Sequence, residues 1–430
     1  MKHKQISLVS ASTAIAAGMP QERRAGRPDR EARAFLRWFN LASRRPPKAY
    51  SMAQLRLLWK LMALALGRRV PVTSVIERVI DGPAGPIEMR VYSPRPGAKP
   101  APAFLWCHGG GFVVGGLDSA DSICRNIASE AGCIVIAVRY RLAPEHDLNA
   151  GREDFLAALE WVADEGEALG IDTTRLAVGG DSAGGNIAAA VAQEMVRRGR
   201  QALRLQVLAY PATDLVQAFP SATENARGYM VTAETLAHVQ SLVGVPANAT
   251  DPWLSPARST DLRGLAPAVV ISAGFDPIRD DGLHYAGRLR AAGVPVDLLH
   301  YAGQFHGFLN FDAVMGAGRD ALQRIGAALA HAFGDAEPVN RTIEIADEAS
   351  DTAHCSALDS SVEVASTTLT AWVGAERWLA ALLRLLSPAA AGATRMLLKP
   401  ALAPATLARN EAVTRLGRLA ARQTYPTAGT

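Results

Sequence analysis

Two glycine-rich segments of this chain combine residue types that perform nucleophilic chemistry on acyl groups. The segment Gly180-Asp-Ser-Ala-Gly184 has the G-x-S-x-G pattern of a tight turn that exposes a serine hydroxyl. The segment His108-Gly-Gly-Gly-Phe112 forms a loop whose bare backbone N–H groups can face a developing negative charge. Together they predict that Ser182 attacks a carbonyl carbon whose oxygen the second segment stabilises.

Each segment follows a run of apolar residues that is typical of a buried strand. Residues 104–107 precede His108, and residues 175–180 precede the turn that carries Ser182. An alanine-rich helical pattern then runs from Ser182 to Gly199. Because strand, turn and helix in this order are the context of an exposed nucleophile, a chance loop match is the weaker interpretation.

A serine hydroxyl is a weak nucleophile at neutral pH, so the chain must supply a base and a group that orients the base. Asp276 follows the apolar run 268–273, and His306 follows the run 296–301. The order serine, acid, histidine at the carboxyl ends of strands is that of sheet-based serine hydrolases. We therefore predict Ser182, Asp276 and His306 as catalytic residues. The N–H groups expected to hold the oxyanion belong to Gly109, Gly110 and Ala183.

Other acidic and histidine residues near these positions have simpler interpretations. Asp280 and Asp281 lie in the first turn of a predicted helix, where acidic side chains favour the helix dipole. His300 falls within a predicted strand, and His284 lies in the middle of a helical pattern. His108 is expected to hold its own turn through a hydrogen bond to the backbone.

From residue 72 onward, apolar strand patterns alternate with helical patterns, which predicts an α/β fold. Eight strands are expected, the first two as an antiparallel hairpin and the rest in a largely parallel sheet with helices on both faces. The catalytic domain is expected to span 71–334, with a partly helical excursion at about 214–243.

The segments that flank this domain differ from it in composition. Residues 1–70 are rich in arginine and contain two amphipathic helical patterns, which either pack on the main domain or roof the active site. Residues 335–367 are acidic and predict a linker. Residues 368–430 predict an alanine-rich, basic helical tail, which either packs on the domain or contacts a membrane surface or another protein.

Bulk composition narrows the class of protein further. The 430 residues carry a net charge of only +4, so no overall field indicates nucleic acid. The four cysteines have neither C-x-x-C spacing nor a metal-ligand pattern, and we expect no metal and no cofactor. The N-terminus only weakly resembles a signal peptide, and no apolar run is long enough to span a membrane. We therefore expect a cytoplasmic protein.

Six motifs occur together between about residues 70 and 334. They are HGGGF (108–112), YRLAPEH (140–146), GDSAGGN (180–186), YPATD (210–214), DPIRD (276–280) and HGF (306–308). In this combination the chain resembles bacterial GDSAG-type esterases of the hormone-sensitive-lipase family of α/β-hydrolases. The resemblance implies an α/β-hydrolase fold whose acyl pocket lies under a cap built from the N-terminal helices and the 214–243 excursion. It also implies that a homodimer can form through the last strand and helix of the sheet.

The chain departs from the family pattern at two places. Where the family usually has proline and phenylalanine after Pro-Glu-His, this chain has Asp147-Leu-Asn-Ala-Gly151. We expect this segment to lie away from the catalytic residues and to affect local stability only. The residues after about 336 lie beyond the usual end of the family, so no role can be carried over to them.

These observations predict a serine carboxylesterase that hydrolyses short- to medium-chain acyl esters through an acyl-enzyme intermediate. An amidase, a lactone hydrolase or an acyltransferase would use the same residues, because fold and catalytic set do not separate these reactions. A small-molecule-binding protein without activity is a further alternative, which the presence of the complete catalytic set disfavours.

Overall fold

A computed structural model describes most of the chain. The described residues are 8–9, 20, 23–42, 46–94, 100–200 and 202–346. The expected basic tail (368–430) and the expected acidic linker after residue 346 lie outside them, as does most of the signal-like start.

A single ten-stranded sheet runs through the described residues. In chain order the strands are β1 Leu8–Val9, β2 Ser74–Gly82, β3 Gly85–Ser93, β4 Ala101–Cys107, β5 Ile134–Arg139, β6 Ile171–Asp181, β7 Gln206–Ala209, β8 Ala268–Phe275, β9 Val296–Phe305 and β10 Arg341–Ile345. Their spatial order is β1-β10-β9-β8-β7-β6-β4-β5-β3-β2. All neighbours from β10 to β5 are parallel, whereas β1, β3 and β2 pair antiparallel. The predicted mostly parallel sheet is confirmed.

The expected number of eight strands was too low, because β1 and β10 extend one edge of the sheet. β10 pairs with β9 from Arg341 opposite Asp297 to Ile345 opposite Tyr301. It lies inside the segment predicted as an acidic linker, so the sheet continues past the expected domain end at residue 334. Only Thr342 and Ile343 of this strand are buried, and such a short apolar signal does not stand out among charged neighbours.

Helices cover both faces of the sheet, as predicted. In chain order they are α1 Arg30–Ala42, α2 Met52–Leu66, α3 Leu117–Ala131, α4 Leu148–Glu165, α5 Ala183–Arg197, α6 Pro220–Glu224, α7 Ala233–Val243, α8 Arg279–Ala291 and α9 Gly316–Phe333. Side chains of β4 alternate between the faces, because successive residues of a strand point to opposite sides. Phe104 and Trp106 join the core under α1, α2, α3 and α9, whereas Leu105 and Cys107 join the core under α4, α5 and α8.

The register of the parallel strands brings the predicted catalytic segments to one edge of the sheet. Cys107 at the end of β4 lies beside Gly180 of β6, and Asp181 lies beside Ala209 of β7. Phe275 at the end of β8 lies beside Phe305 at the end of β9. The loops that begin at these carboxyl ends therefore converge, as ligand-binding loops of open α/β sheets do.

The described residues contain three free cysteines, Cys107, Cys124 and Cys133, and all three are buried. Burial is the largest cause that raises the pKa of each thiol, so they pack as small apolar side chains. Across these same parts of the chain, no helix has both the length and the apolar character needed to cross a membrane.

Candidate active site

Ser182 occupies a strained turn between β6 and α5. Its φ is +55°, which is rare for a residue other than glycine. The turn packs so closely that a Cβ on Gly180 would lie 2.4 Å from the carbonyl oxygen of Gly184, and one on Gly184 would lie 2.1 Å from that of Cys107. The glycines of the G-x-S-x-G pattern are therefore required by close backbone approach, and the serine hydroxyl is held out over the sheet edge.

A continuous chain of hydrogen bonds links the three side chains predicted as catalytic. The Nε2 atom of His306 lies 2.8 Å from Oγ of Ser182, and its Nδ1 atom lies 2.7 Å from Oδ2 of Asp276. Asp276 is fully buried, and its Oδ1 atom accepts the backbone N–H of Ile278 at 2.8 Å. The imidazole is thus oriented to accept a proton from the hydroxyl, with a fixed carboxylate behind it.

Tyr210 supports His306 from the side, a contact that the sequence analysis did not predict. The two ring centroids are 4.9 Å apart at an angle of 58°, and Tyr210 also packs on Phe308. Tyr210 is fully buried and follows β7 directly. The YPATD motif marked this residue, but only the packing reveals that it restricts the imidazole.

In the glycine loop (108–112), one of the N–H groups expected to hold the oxyanion is already engaged. The N–H of Gly109 donates to Oδ1 of Asp181 at 2.8 Å, so it is not available to an oxyanion. Gly110, Gly111 and Ala183 line the same cavity as Ser182. Within the described part of the chain, no acceptor engages the N–H groups of Gly110 and Gly111. The expectation for Gly109 was wrong because the side chain of Asp181 competes for that N–H.

His108 holds the glycine loop and does not take part in the hydrogen-bond chain of Ser182. Its Nδ1 atom donates to the carbonyl oxygen of Gly109 at 2.9 Å, and its ring stacks on Tyr140 with centroids 4.3 Å apart. The hydroxyl of Tyr140 donates to the carbonyl of His108 at 2.8 Å. Burial lowers the pKa of His108 to about 4, so the ring is neutral at pH 7.

A cavity of about 1170 Å³ opens above Ser182 and His306. Its walls come from α1, α2, α7 and the loop before α6, and they are mainly apolar. Aromatic and aliphatic side chains of the first two helices contribute Trp38, Phe39, Leu55, Leu58, Trp59 and Met62. A cavity of this character suits a substrate with an apolar acyl or alcohol group.

The N-terminal helix α1 contacts both the core of the sheet domain and the cavity. Phe35 of α1 is buried and stacks on Phe305 and Phe311, with centroids 5.2 and 4.7 Å apart. The next turn of the same helix points Trp38 and Phe39 into the cavity. α1 therefore belongs to the core and to the roof at once.

Comparison with known proteins identifies the family. The sequence profile of a family described as alpha/beta hydrolase fold matches residues 104–310. The esterase LipI of Mycobacterium tuberculosis is 42% identical over 258 residues, which cover 59% of this chain and 81% of the relative. The chain belongs to the hormone-sensitive-lipase family of α/β-hydrolases.

Two further proteins are similar to this chain. The ethyl acetate hydrolase of Pseudomonas putida is 41% identical, over 58% of this chain and 79% of its own length. Among solved structures, an ester hydrolase from the metagenome of Lake Arreo, in complex with a derivative of bipyridine phosphonate, is 37% identical with a TM-score of 0.68. That match covers 71% of this chain and 98% of the other.

One residue of the 147–151 segment, in which the chain departs from the family pattern, reaches the cavity wall. Asp147 caps α4 by accepting the N–H groups of Asn149 and Ala150 at 2.9 and 3.1 Å. α4 therefore begins at Leu148, and Leu148 lines the cavity that contains Ser182. The segment therefore both caps α4 and contributes one residue to the cavity wall.

α7 forms an exposed wall of the cavity, opposite the glycine loop. None of its residues is buried, although its N-terminus is capped by Thr232. Val239 of this helix lies over Gly111, where a Cβ on the glycine would come within 3.1 Å of the valine methyl groups.

In the described residues no group of three acidic, histidine or cysteine side chains could hold a metal ion near this site or elsewhere.

Proposed function

We propose that this hormone-sensitive-lipase family member is a serine carboxylesterase in which Ser182 is the nucleophile, His306 the general base and Asp276 the residue that orients it. One observation carries the proposal: the unbroken hydrogen-bond chain from Asp276 through His306 to Ser182 ends at the floor of an apolar cavity. Relatives that are named esterases and ester hydrolases support it.

Acylation begins when Oγ of Ser182 attacks the ester carbonyl carbon and Nε2 of His306 accepts the hydroxyl proton. The negative charge that develops on the carbonyl oxygen is stabilised by the N–H groups of Gly110, Gly111 and Ala183. Ala183 is the first residue of α5, so its N–H has no partner within the helix and adds the positive end of the helix dipole. Loss of one such donor costs about 3 kcal/mol of transition-state stabilisation.

The tetrahedral intermediate then collapses and breaks the bond to the alcohol oxygen. His306 returns its proton to that oxygen, and the acyl group stays on Ser182 as an ester. A water molecule, deprotonated by the same imidazole, attacks the acyl carbon, and collapse of the second intermediate releases the acid and restores the serine hydroxyl. Asp276 stabilises the positively charged imidazole in both halves of the cycle.

The substrate class follows from the cavity. Its apolar walls favour short- to medium-chain acyl esters with uncharged alcohols, and a relative named ethyl acetate hydrolase fits this class. An amidase, a lactone hydrolase or an acyltransferase would require the same residues, and no specific contact favours one of them.

Hydrolysis of p-nitrophenyl esters from acetate to palmitate by the wild type and by Ser182→Ala tests the proposal. We expect the wild type to cleave the short chains and Ser182→Ala to lose at least about a thousandfold in kcat. Ser259→Ala is the matched control, since that serine is half-buried, donates its hydroxyl to the carbonyl of Asp261 and lies outside the cavity. A folded wild type that cleaves p-nitrophenyl butyramide but no ester would replace the esterase with an amidase.

Three further expectations rest on the sequence alone. We propose that the basic tail (368–430) contacts a membrane surface or a protein, that the protein is cytoplasmic, and that it can form a homodimer. Deleting 347–430 and measuring sedimentation with anionic liposomes tests the membrane contact, and unchanged sedimentation would exclude it. Cell fractionation and light scattering of the full chain test the other two.

A further inference from the structure

Arg152 of α4 is one of the largest fully buried side chains, with 0% of its surface exposed. In the described part of the chain no carboxylate lies within ion-pair distance of its guanidinium group. Burial lowers its pKa to about 10, which still leaves it charged at pH 7. Burying a charge without an ion-pair partner costs free energy of folding, so hydrogen bonds from its surroundings must offset that cost. We therefore asked which groups bind the guanidinium and what they connect.

Neutral acceptors satisfy the guanidinium group on all three nitrogens. Nε donates to the carbonyl of Trp253 at 2.6 Å, and Nη1 donates to that of Leu148 at 2.5 Å. Nη2 donates to Oδ1 of Asn186 at 2.5 Å and to the carbonyl of Leu254 at 3.2 Å. One side chain thereby joins the first turn of α4, the helix that follows the nucleophile and the 253–254 segment.

Asn186 transmits this arrangement to the nucleophile. Its backbone N–H donates to the carbonyl of Ser182 at 3.1 Å, and its side-chain amide donates to the carbonyl of Ala212 at 2.6 Å. Ala212 in turn donates its N–H to the carbonyl of Ser182 at 3.3 Å. The carbonyl of the nucleophile is therefore held by two N–H groups that Asn186 orders, and Arg152 fixes the asparagine amide.

The guanidinium group also packs on the glycine loop. Its Cζ atom lies 5.3 Å from the ring centroid of Phe112, which is within the range of a cation–π contact. Phe112 directly follows Gly111 and has a φ of +64°, a strained value that neighbouring contacts must maintain. Two contacts hold Phe112 in this conformation: the guanidinium group of Arg152 over its ring, and the N–H of Ala143, which donates to the carbonyl of Phe112 at 2.9 Å.

We propose that Arg152 is a positioning residue for the reaction: it fixes the glycine loop through Phe112 and the nucleophile turn through Asn186. The expected change in kcat rests on the proposed esterase function, whereas the expected loosening of the glycine loop and the nucleophile turn does not. Because the guanidinium group touches neither Ser182 nor the N–H groups of the glycines, its removal should leave substrate binding intact and misalign the oxyanion donors.

The test compares Arg152→Met with Arg319→Met, which removes another buried arginine. Arg319 lies in α9, is 8% exposed, donates to the carbonyl of Asp312 at 2.8 Å and does not line the cavity. For Arg152→Met we expect kcat on p-nitrophenyl butyrate to fall at least about tenfold, while KM stays within about twofold of the wild-type value. This loss in kcat is smaller than that caused by removing a whole oxyanion donor, because the donors are misaligned and not lost. For Arg319→Met we expect unchanged kcat.

Hydrogen–deuterium exchange provides a readout that does not depend on activity. Peptides that cover 109–114 and 183–188 should exchange faster in Arg152→Met, whereas those of α9 should not. Arg152→Lys, which keeps the charge over Phe112 but not the fork of donors, should restore part of kcat and of the protection. Wild-type exchange at 109–114 in a folded Arg152→Met variant would overturn the inference, even if the wild type cleaves no ester.

Discussion

The carboxylate of Asp181 accepts the backbone N–H of Gly109, so the residue before the nucleophile is bonded to the first glycine of the opposite loop. The bond is 2.8 Å long and buried, and the second carboxylate oxygen faces the amide of Asn310 at 3.4 Å. Asp181 thus joins the glycine loop to the loop that carries His306. Burial is the main cause that raises its pKa, despite these two donors.

We predict that Asp181→Ala lowers kcat by about ten- to a hundredfold and changes KM little. Without the acceptor, the peptide group of Gly109 can rotate and the neighbouring N–H groups lose alignment, which costs part of the stabilisation of one oxyanion donor. Asp181→Asn retains an acceptor oxygen and should lose less. Steady-state kinetics on p-nitrophenyl butyrate measure both, with Asp172→Ala, an acid at the far end of the same strand, as control. Wild-type kcat in Asp181→Ala would contradict the prediction.

Gly111 and Gly199 share a left-handed backbone conformation but have different surroundings. Gly111 and Gly199 have φ values of +61° and +62°, but only Gly111 has a neighbour, Val239, within reach of an added Cβ. We expect Gly111→Ala and Gly199→Ala to destabilise the fold similarly, by about 1 kcal/mol, because alanine disfavours this conformation. Only Gly111→Ala should lower kcat, because its added Cβ would meet the methyl groups of Val239 at 3.1 Å and displace the glycine loop that lines the cavity. Denaturant melts and ester kinetics check this, and equal kcat in the two variants would show that the reaction does not depend on the position of the loop at Gly111.

The buried carboxyl group of Asp281 makes the free energy of unfolding depend on pH. Its carboxylate is buried, accepts the hydroxyl of Thr213 and the N–H of Asp214, and lies near the carboxylate of Asp214. Burial raises its pKa to about 7, above the ordinary value of 3.8. Between these values the folded protein holds a proton that the unfolded chain has released, so the free energy of unfolding falls as pH rises from about 4 to about 7.

Asp281→Asn removes this loss, because the amide does not ionise. The gain in free energy of unfolding relative to the wild type should therefore grow from pH 4 to pH 7, by up to about 4 kcal/mol, and stay constant above pH 8. Urea denaturation at pH 5, 6, 7 and 8 measures it. Asp261→Asn, which changes an exposed acid, should show no such trend. A pH-independent difference for Asp281→Asn would mean that this carboxyl does not titrate in the range.

Removal of β10 should destabilise the protein. In a chain ending at residue 334, the edge of β9 would lose its partner and expose a row of backbone hydrogen-bonding groups, which favours association between sheets. We expect a lower melting temperature and higher-order species in light scattering for this truncation. A chain ending at residue 346 keeps β10 and serves as control. Identical melting and size for the two truncations would show that β10 contributes nothing to the sheet edge.

The sequence predicted best what short motifs encode. Ser182, Asp276 and His306 each lie just after an apolar strand, and parallel pairing alone brings such positions together. The assignment of Gly109 failed because its partner, Asp181, is a side chain 72 residues away. The burial of Arg152 could not be predicted from the sequence either. Charged residues are mostly exposed, and the acceptors that permit its burial come from residues up to 102 positions away.

The edge formed by β1 and β10 has a consequence for the order of assembly. β1 precedes the other described strands in the chain, yet its partner β10 begins only at Arg341. Until then β9 lacks its outer neighbour, although the rest of the sheet has been synthesised. The growing chain therefore carries an open strand edge for the time needed to translate the helix α9 and the turn after it, an interval in which nascent chains on one message can pair with each other.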